Sequence, residues 1–313
     1  MSMSLGPIGI ALVLLAALPA SARTLEVGPG KTYAQPSQAA AAAHDGDRVV
    51  IARGEYFDCA VWPQNHLVIE GESAAGTVIT DKTCQGKALF VIPGNDVTVR
   101  NLTLTRARVP DANGAGIRAE GRNLLVEHVR FINNQDGILT TNQPQGSLII
   151  RDSEFTRNGT CEQACAHGIY AGHLGLLRIE RTTFRDTREG HHIKSRALRT
   201  EVIGSDIADG PEGTASYLID IPNGGSVIVQ NNKMEKGPKA QNHTAAIMIG
   251  AEGVEQPTRE ILVEGNEFRL DGNYPTTFVY NMTATEAVLR GNRLVGQQIQ
   301  PLHGDGTVSA GRS

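Results

Sequence analysis

The sequence predicts an all-β chain wound as a single-stranded right-handed parallel β-helix, and two ladders predict it. The first is a six-residue pattern, apolar-x-turn-x-x-apolar, that recurs eight times: VRNLTL (99–104), VEHVRF (126–131), IRDSEF (150–155), IERTTF (179–184), VIGSDI (202–207), VQNNKM (229–234), VEGNEF (263–268) and LRGNRL (289–294). Between their last residues the copies lie 27, 24, 29, 23, 27, 34 and 26 residues apart, the period of one supersecondary unit with variable insertions. The second ladder is an isoleucine placed once per unit, at Ile117, Ile138, Ile169, Ile193, Ile219 and Ile247.

Each part of the repeat has a physical reading. Strong strand formers alternate with polar residues, and Asn or Gly gathers at positions three and four, where a left-handed turn conformation is cheap. Each unit is therefore a short strand, a tight turn and another strand. A leucine-rich repeat would show L-x-x-L-x-L with a helix per unit, and a calcium-binding roll would show GGxGxD; the sequence contains neither. Identical residues stacked inside successive coils then fill the core.

The 313 residues, 40% of them hydrophobic, are enough to bury a large core. Ile8 to Leu18 (IGIALVLLAAL) is too short to span a bilayer, which needs about 20 residues, and Ala20-Ser21-Ala22 follows as a small-residue cleavage site. Residues 1–22 thus read as a signal peptide and 23–313 as one β-helix domain, secreted or periplasmic, with no later segment able to span a membrane. Four cysteines in an exported chain read as two disulfides, Cys59 with Cys84, one coil apart, and Cys161 with Cys165 across a short excursion. A formal net charge of −4 and 4% aromatic content exclude bulk capture of nucleic acid. The chain is read as a monomer.

Against that charge, the stretch GHHIKSRA (190–197) concentrates two histidines, a lysine and an arginine. If Ile193 points into the core, strand alternation sends His192, Lys194 and Arg196 outward and Ser195 inward. The residues after each ladder isoleucine then form an outer column, Arg118, Leu139, Tyr170, Lys194, Asp220 and Met248, with coils about 4.8 Å apart. Asp136, His167, His191 and Tyr217 fall at the corner just before it. A lysine beside an aspartate is ordinarily a surface ion pair worth about 0 to 1 kcal/mol; three histidines, a tyrosine, a lysine and an arginine gathered beside an acid point instead to a site.

A solenoid offers a long shallow groove suited to an extended acidic polysaccharide. Removing the proton α to a uronate carboxylate needs a base and a group that stabilises the developing enediolate, and a lysine with cationic neighbours can be that base. The expected assignment is Lys194 as base, Tyr170 or His191 as proton partner and Arg196 holding the carboxylate, with His167, His192, Asp220 and Arg118 as substrate-binding residues. Departure of the leaving group gives β-elimination; return of the proton on the opposite face gives C5 epimerisation.

Two family resemblances bear on this. TYAQPSQAAAAAHDGDRVVIARGEY (32–56) resembles the opening of pectin-lyase-like β-helix proteins, which implies a short capping helix, a Gly-Asp-x-Val strand and a Gly-x-Tyr turn. HHIKSRA resembles the lysine-bearing strand of alginate lyase and chondroitinase B type lyases, Lys194 and Ser195 matching its Lys-Ser pair, which implies a lysine base and calcium as a possible cofactor. That family's acid is an arginine of the following coil, where this chain has Ile219-Asp220-Ile221-Pro222-Asn223, and its calcium ligands have no evident counterpart here. Asn134-Gln135-Asp136-Gly137, Ala166-His167-Gly168 and His192-Ile193-Lys194 are more distantly similar to segments of polygalacturonases, whose paired aspartates are missing. Hydrolysis needs two carboxyl groups about 5 to 9.5 Å apart. Asp136 and Asp220 should stand three coils, about 14 Å, apart, leaving Asp220 with Glu189 as the open pair. A non-catalytic glycan-binding scaffold is the remaining reading.

Overall fold

The computed structural model describes residues 22–310. The expected leader, residues 1–22, lies outside them but for Ala22. Every coil runs through three sheets in turn, and all three are parallel: a twelve-stranded sheet from Thr24–Val27 to Gly306–Ser309, and two ten-stranded sheets, one from Gly54–Tyr56 to Arg293–Val295 and one from Ala60–Val61 to Ile299–His303. They close a β-solenoid of about 11 coils. The helix Pro36–Ala42 precedes the coil of Arg48–Ile51 and Gly54–Tyr56, as the resemblance implies. It begins at a proline, whose missing N–H costs nothing there, and Gln38 Oε1 accepts the N–H groups of Ala34 and Gln35 at 2.8 and 3.2 Å.

The repeat encodes one corner of the coil. Its third residue has positive φ in all eight copies, from 46° at Arg181 to 65° at Gly265. His128 and Arg181 adopt this left-handed conformation although they are not turn formers, because the stacked coils on either side fix it. The fourth residue turns inward, and from Ser153 onward it is polar and satisfies the corner's backbone. Asn232 Nδ2 donates to Asn266 Oδ1 at 2.9 Å, Asn266 Nδ2 to Asn292 Oδ1 at 2.9 Å, and the Ser205 N–H to Asn232 Oδ1 at 2.8 Å.

The sixth residue and the isoleucine make the core. Phe131, Phe155 and Phe184 stack with ring centres 4.6 and 4.8 Å apart, the spacing of the coils. Gly116 and Gly137 make room for them: a Cβ would stand 2.8 Å from Phe131 and 2.7 Å from Phe155. The ladder isoleucines pair in register from Ile117 to Ile247 and are fully buried. Cys59–Cys84 and Cys161–Cys165 are both bonded, and no described cysteine is free. No described helix is long and apolar enough to cross a membrane.

Ile169 sits mid-ladder with no exposure, so Ile169→Asp buries a carboxylate without a partner. The expected loss is several kcal/mol against a typical stability of about 5 to 15, read as collapse of the thermal transition; an unchanged melting temperature would contradict the ladder. Thiol titration of the denatured, unreduced protein should find no free cysteine.

Candidate active site

Register on the third sheet places Arg118, Leu139, Tyr170, Lys194, Asp220, Met248, Tyr280 and His303 one above another. The chemistry centres on Tyr170, Lys194 and Asp220. Lys194 Nζ lies 3.4 Å from Asp220 Oδ2 and 5.8 Å from the Tyr170 ring centre. Arg196, one residue past the strand His191–Ser195, turns back over the same face: its Nε donates to Tyr170 Oη at 3.0 Å and its Nη1 to Asn223 Oδ1.

A second layer stands behind at the corner. The rings of His167 and His191 stack at 4.9 Å, and those of His191 and Tyr217 at 5.2 Å. Each histidine Nδ1 accepts a backbone N–H from the next coil, His167 from His191 at 3.0 Å and His191 from Tyr217 at 3.1 Å. The ring proton therefore sits on Nε2 in each, and His191 Nε2 lies 3.3 Å from Asp220 Oδ2. Burial, with the charges of Lys194 and Lys236 behind it, pushes His191 down to about 3. Burial also pushes His167 well below the usual histidine range. Both rings are thus neutral at ordinary pH, and His191 stands beside Asp220.

The structure corrects the placement of several expected contacts. His192 does not face the groove. Its strand enters from the corner, so both its second and third residues point inward; the second position, glycine at Gly116, Gly137 and Gly168, becomes His192 here. The imidazole is fully buried, edge-on to Phe184, between Thr187 Oγ1 at 2.7 Å and Asp209 Oδ1 at 2.9 Å. It braces the interior. His167 and Asp220, each 3% exposed, lie beneath the surface and act through Tyr170 and Lys194 rather than by touching a ligand. Arg118 stays on the groove two coils from Tyr170, partly exposed, with Glu120 at 3.9 Å.

The two acids weighed as partners for Asp220 are engaged elsewhere. Asp136 is buried, takes the His167 N–H at 2.7 Å and is driven well above the carboxylate range by burial. Glu189 accepts the Cys161 N–H at 2.5 Å and lines a separate hollow of about 360 Å³ beside the disulfide loop, together with Arg108 and Arg188. Among the described residues no group of three or more His, Cys, Asp or Glu side chains is arranged to hold a metal. The site carboxylates are already engaged by cations, so the calcium implied by resemblance does not fit these residues.

Two participants escaped the sequence reading. Glu252, on the loop 250–260, places Oε1 2.8 Å from Lys194 Nζ and Oε2 2.5 Å from Arg196 Nη2. Lys236 is fully buried behind the corner, its Nζ donating to the Ser216 carbonyl at 2.6 Å, and burial lowers it to about 8.

The fold and this face define a parallel β-solenoid with one charged cluster on its third sheet. Its structural neighbours are parallel β-helix proteins. An alginate lyase from Paenibacillus sp. str. FPU-7 superposes with a TM-score of 0.63 at 17% identity, over 90% of this chain and 99% of that one. The pectin methylesterase PemA from Erwinia chrysanthemi gives 0.47 at 16%, over 71% and 81%. The A-module of the mannuronan C-5 epimerase AlgE4 from Azotobacter vinelandii gives 0.41 at 15%, over 87% and 93%. At these identities the likeness establishes the fold alone. No protein-family model and no curated protein matches the chain.

Burial pushes the Asp220 carboxyl from its usual 3.8 up to about 6, with Lys194 pulling the other way. A carboxyl raised in the folded state favours folding in its protonated form. That contribution is complete below about pH 4 and lost as pH rises through about 6. Relative to wild type, Asp220→Asn should therefore gain stability between pH 4 and pH 7, by about 3 kcal/mol. Melting curves across that range check this, and a difference independent of pH would refute it.

Proposed function

We propose that the protein is an exported lyase that cleaves a uronic-acid-containing polysaccharide by β-elimination. The observation that carries this reading is the contact of Tyr170, Lys194 and Arg196 on one outer face, Arg196 Nε on Tyr170 Oη at 3.0 Å. Because the phenol oxygen accepts from the guanidinium, its own proton is free to point into the groove. Tyr170 is thus the better proton donor of the two candidates, since His191 is largely buried at the corner with its Nδ1 taken by the Tyr217 N–H. The shared fold with an alginate lyase fits the reading, but the weight rests on these side chains.

In the proposed reaction Arg196 holds the uronate carboxylate and stabilises the enediolate that develops on it. Lys194 first gives its ammonium proton to solvent as the substrate displaces its carboxylate partner, and as the amine it takes the C5 proton. The electron pair released at C5 forms the C4–C5 double bond, the C4–O bond breaks, and Tyr170 gives its proton to the departing glycosidic oxygen. The proton on Lys194 then returns through solvent to restore Tyr170. Two bonded disulfides agree with an oxidising compartment, secreted or periplasmic.

A panel of acidic and neutral polysaccharides, read by ultraviolet absorbance and by reducing ends together, tests the reaction. The expected product carries an ultraviolet-absorbing 4,5-double bond. Lys194→Ala should lose about 10² to 10⁴ of rate with its melting temperature kept, and Tyr170→Phe should fall comparably. Solvent deuterium at C5 without cleavage would make the protein an epimerase, and reducing ends without the double bond a hydrolase. Binding that survives Lys194→Ala without turnover by the wild type would make it a scaffold.

A further inference from the structure

The one carboxylate that bridges Lys194 and Arg196 belongs to the protein itself. We propose that Glu252 is a built-in stand-in for the substrate carboxylate, occupying both cations until an acidic sugar displaces it; this rests on the uronate-directed reading above. Each oxygen of Glu252 meets a different cation, Oε1 the Lys194 ammonium and Oε2 the Arg196 guanidinium, at 2.8 and 2.5 Å. A uronate with its carboxylate on Arg196 and its C5 proton at Lys194 needs the space and the two partners that Glu252 now holds, so it cannot bind there while Glu252 does.

The partners are unequal in mobility. Lys194 and Arg196 side chains are 11% and 18% exposed, whereas that of Glu252 is 46% exposed on a loop. The loop's backbone is tied down. The Glu252 N–H donates to the Pro222 carbonyl at 2.9 Å, those of Glu255 and Gln256 to the Asn223 carbonyl at 3.0 and 2.9 Å, and Asn223 Nδ2 to the Gly253 carbonyl at 3.2 Å. Exchange therefore needs only the Glu252 side chain to swing outward, with no loop opening. Against the opposing effect of burial, hydrogen bonds from Lys194 and Arg196 hold Glu252 below its ordinary value, so it competes as an anion. Asp220, held by His191 and Lys194 in the layer beneath, cannot exchange in this way.

The experiment measures binding apart from turnover. Tetrasaccharides of mannuronate and of galacturonate are titrated calorimetrically into Tyr170→Phe protein, alone and combined with Glu252→Ala, Glu252→Gln or Glu255→Ala. Glu255 carries the same charge on the same loop and touches neither cation, so its variant controls for a general change in field. Glu252→Ala should bind at least one tetrasaccharide about tenfold tighter than its parent, as when a self-occupied site is open in about a tenth of molecules. Glu252→Gln should follow in the same direction, and Glu255→Ala should change little. Melting temperatures should stay at the parent's. No gain in Glu252→Ala, an equal gain in Glu255→Ala, or no binding of either tetrasaccharide by any variant overturns the proposal. Tighter binding by Glu252→Ala with no lyase product from the wild type would keep Glu252's role and remove the elimination reaction. Lyase activity without tighter binding would do the reverse.

Discussion

Each strand side chain of the inner coils has a counterpart directly above and below it, about 4.8 Å away, and the rest of the structure depends on that constraint. Inside the solenoid it rewards repetition, because identical apolar groups stack without voids; the isoleucine ladder and the Phe131, Phe155 and Phe184 stack are the result. On the outside it punishes repetition of charge. The twelve-stranded sheet answers by alternating Glu127, Arg151 and Glu180 along one column, with Arg151 3.6 Å and 3.0 Å from its two neighbours. Those arginines and their like are about a third or more exposed, and such pairs contribute little individually.

The cluster around Lys194 obeys the same alternation under different dielectric conditions. Lys194 and Asp220 side chains are 11% and 4% exposed, so their charges are neither hydrated nor screened as on the other sheet. Desolvating an ion pair commonly offsets its attraction, and here Lys236 adds a further buried cation. The His167, His191 and Tyr217 stack makes the arrangement tolerable. Its histidines are neutral, spend their ring acceptors on backbone N–H groups, and place one ring nitrogen 3.3 Å from Asp220. The stack fixes the position of the column in front of it.

What was legible in the sequence follows from what repeats. Strand register, the isoleucine ladder, the left-handed corner, the Cys59–Cys84 disulfide and the column Tyr170, Lys194, Asp220 are properties of period, and a period can be read without coordinates. His192 was misplaced because strict alternation assumes a strand already lying flat in its sheet, whereas this strand is still turning in from the corner at its second residue. Glu252 was missed because it belongs to no period. A signal existed: the 34-residue interval between VQNNKM and VEGNEF is the longest of the seven. That interval contains the loop 250–260, and the second longest, 29 residues, contains the Cys161–Cys165 excursion.

Those two insertions emerge at opposite edges of the same sheet. The excursion lies on the connection into the strand Ile169–Ala171, and the Glu252 loop on the connection out of the strand Ala245–Ile249. A solenoid built only from its repeat would present a flat, solvated face on which Lys194 is one more surface lysine. The insertions raise walls beside that face without disturbing the register beneath, since lengthening a surface connection changes closure entropy only slowly. Chemistry on this fold is thus a local departure from periodicity laid over a periodic scaffold. The repeat fixes where Tyr170, Lys194 and Asp220 stand, and the irregular loop brings the Glu252 carboxylate onto Lys194.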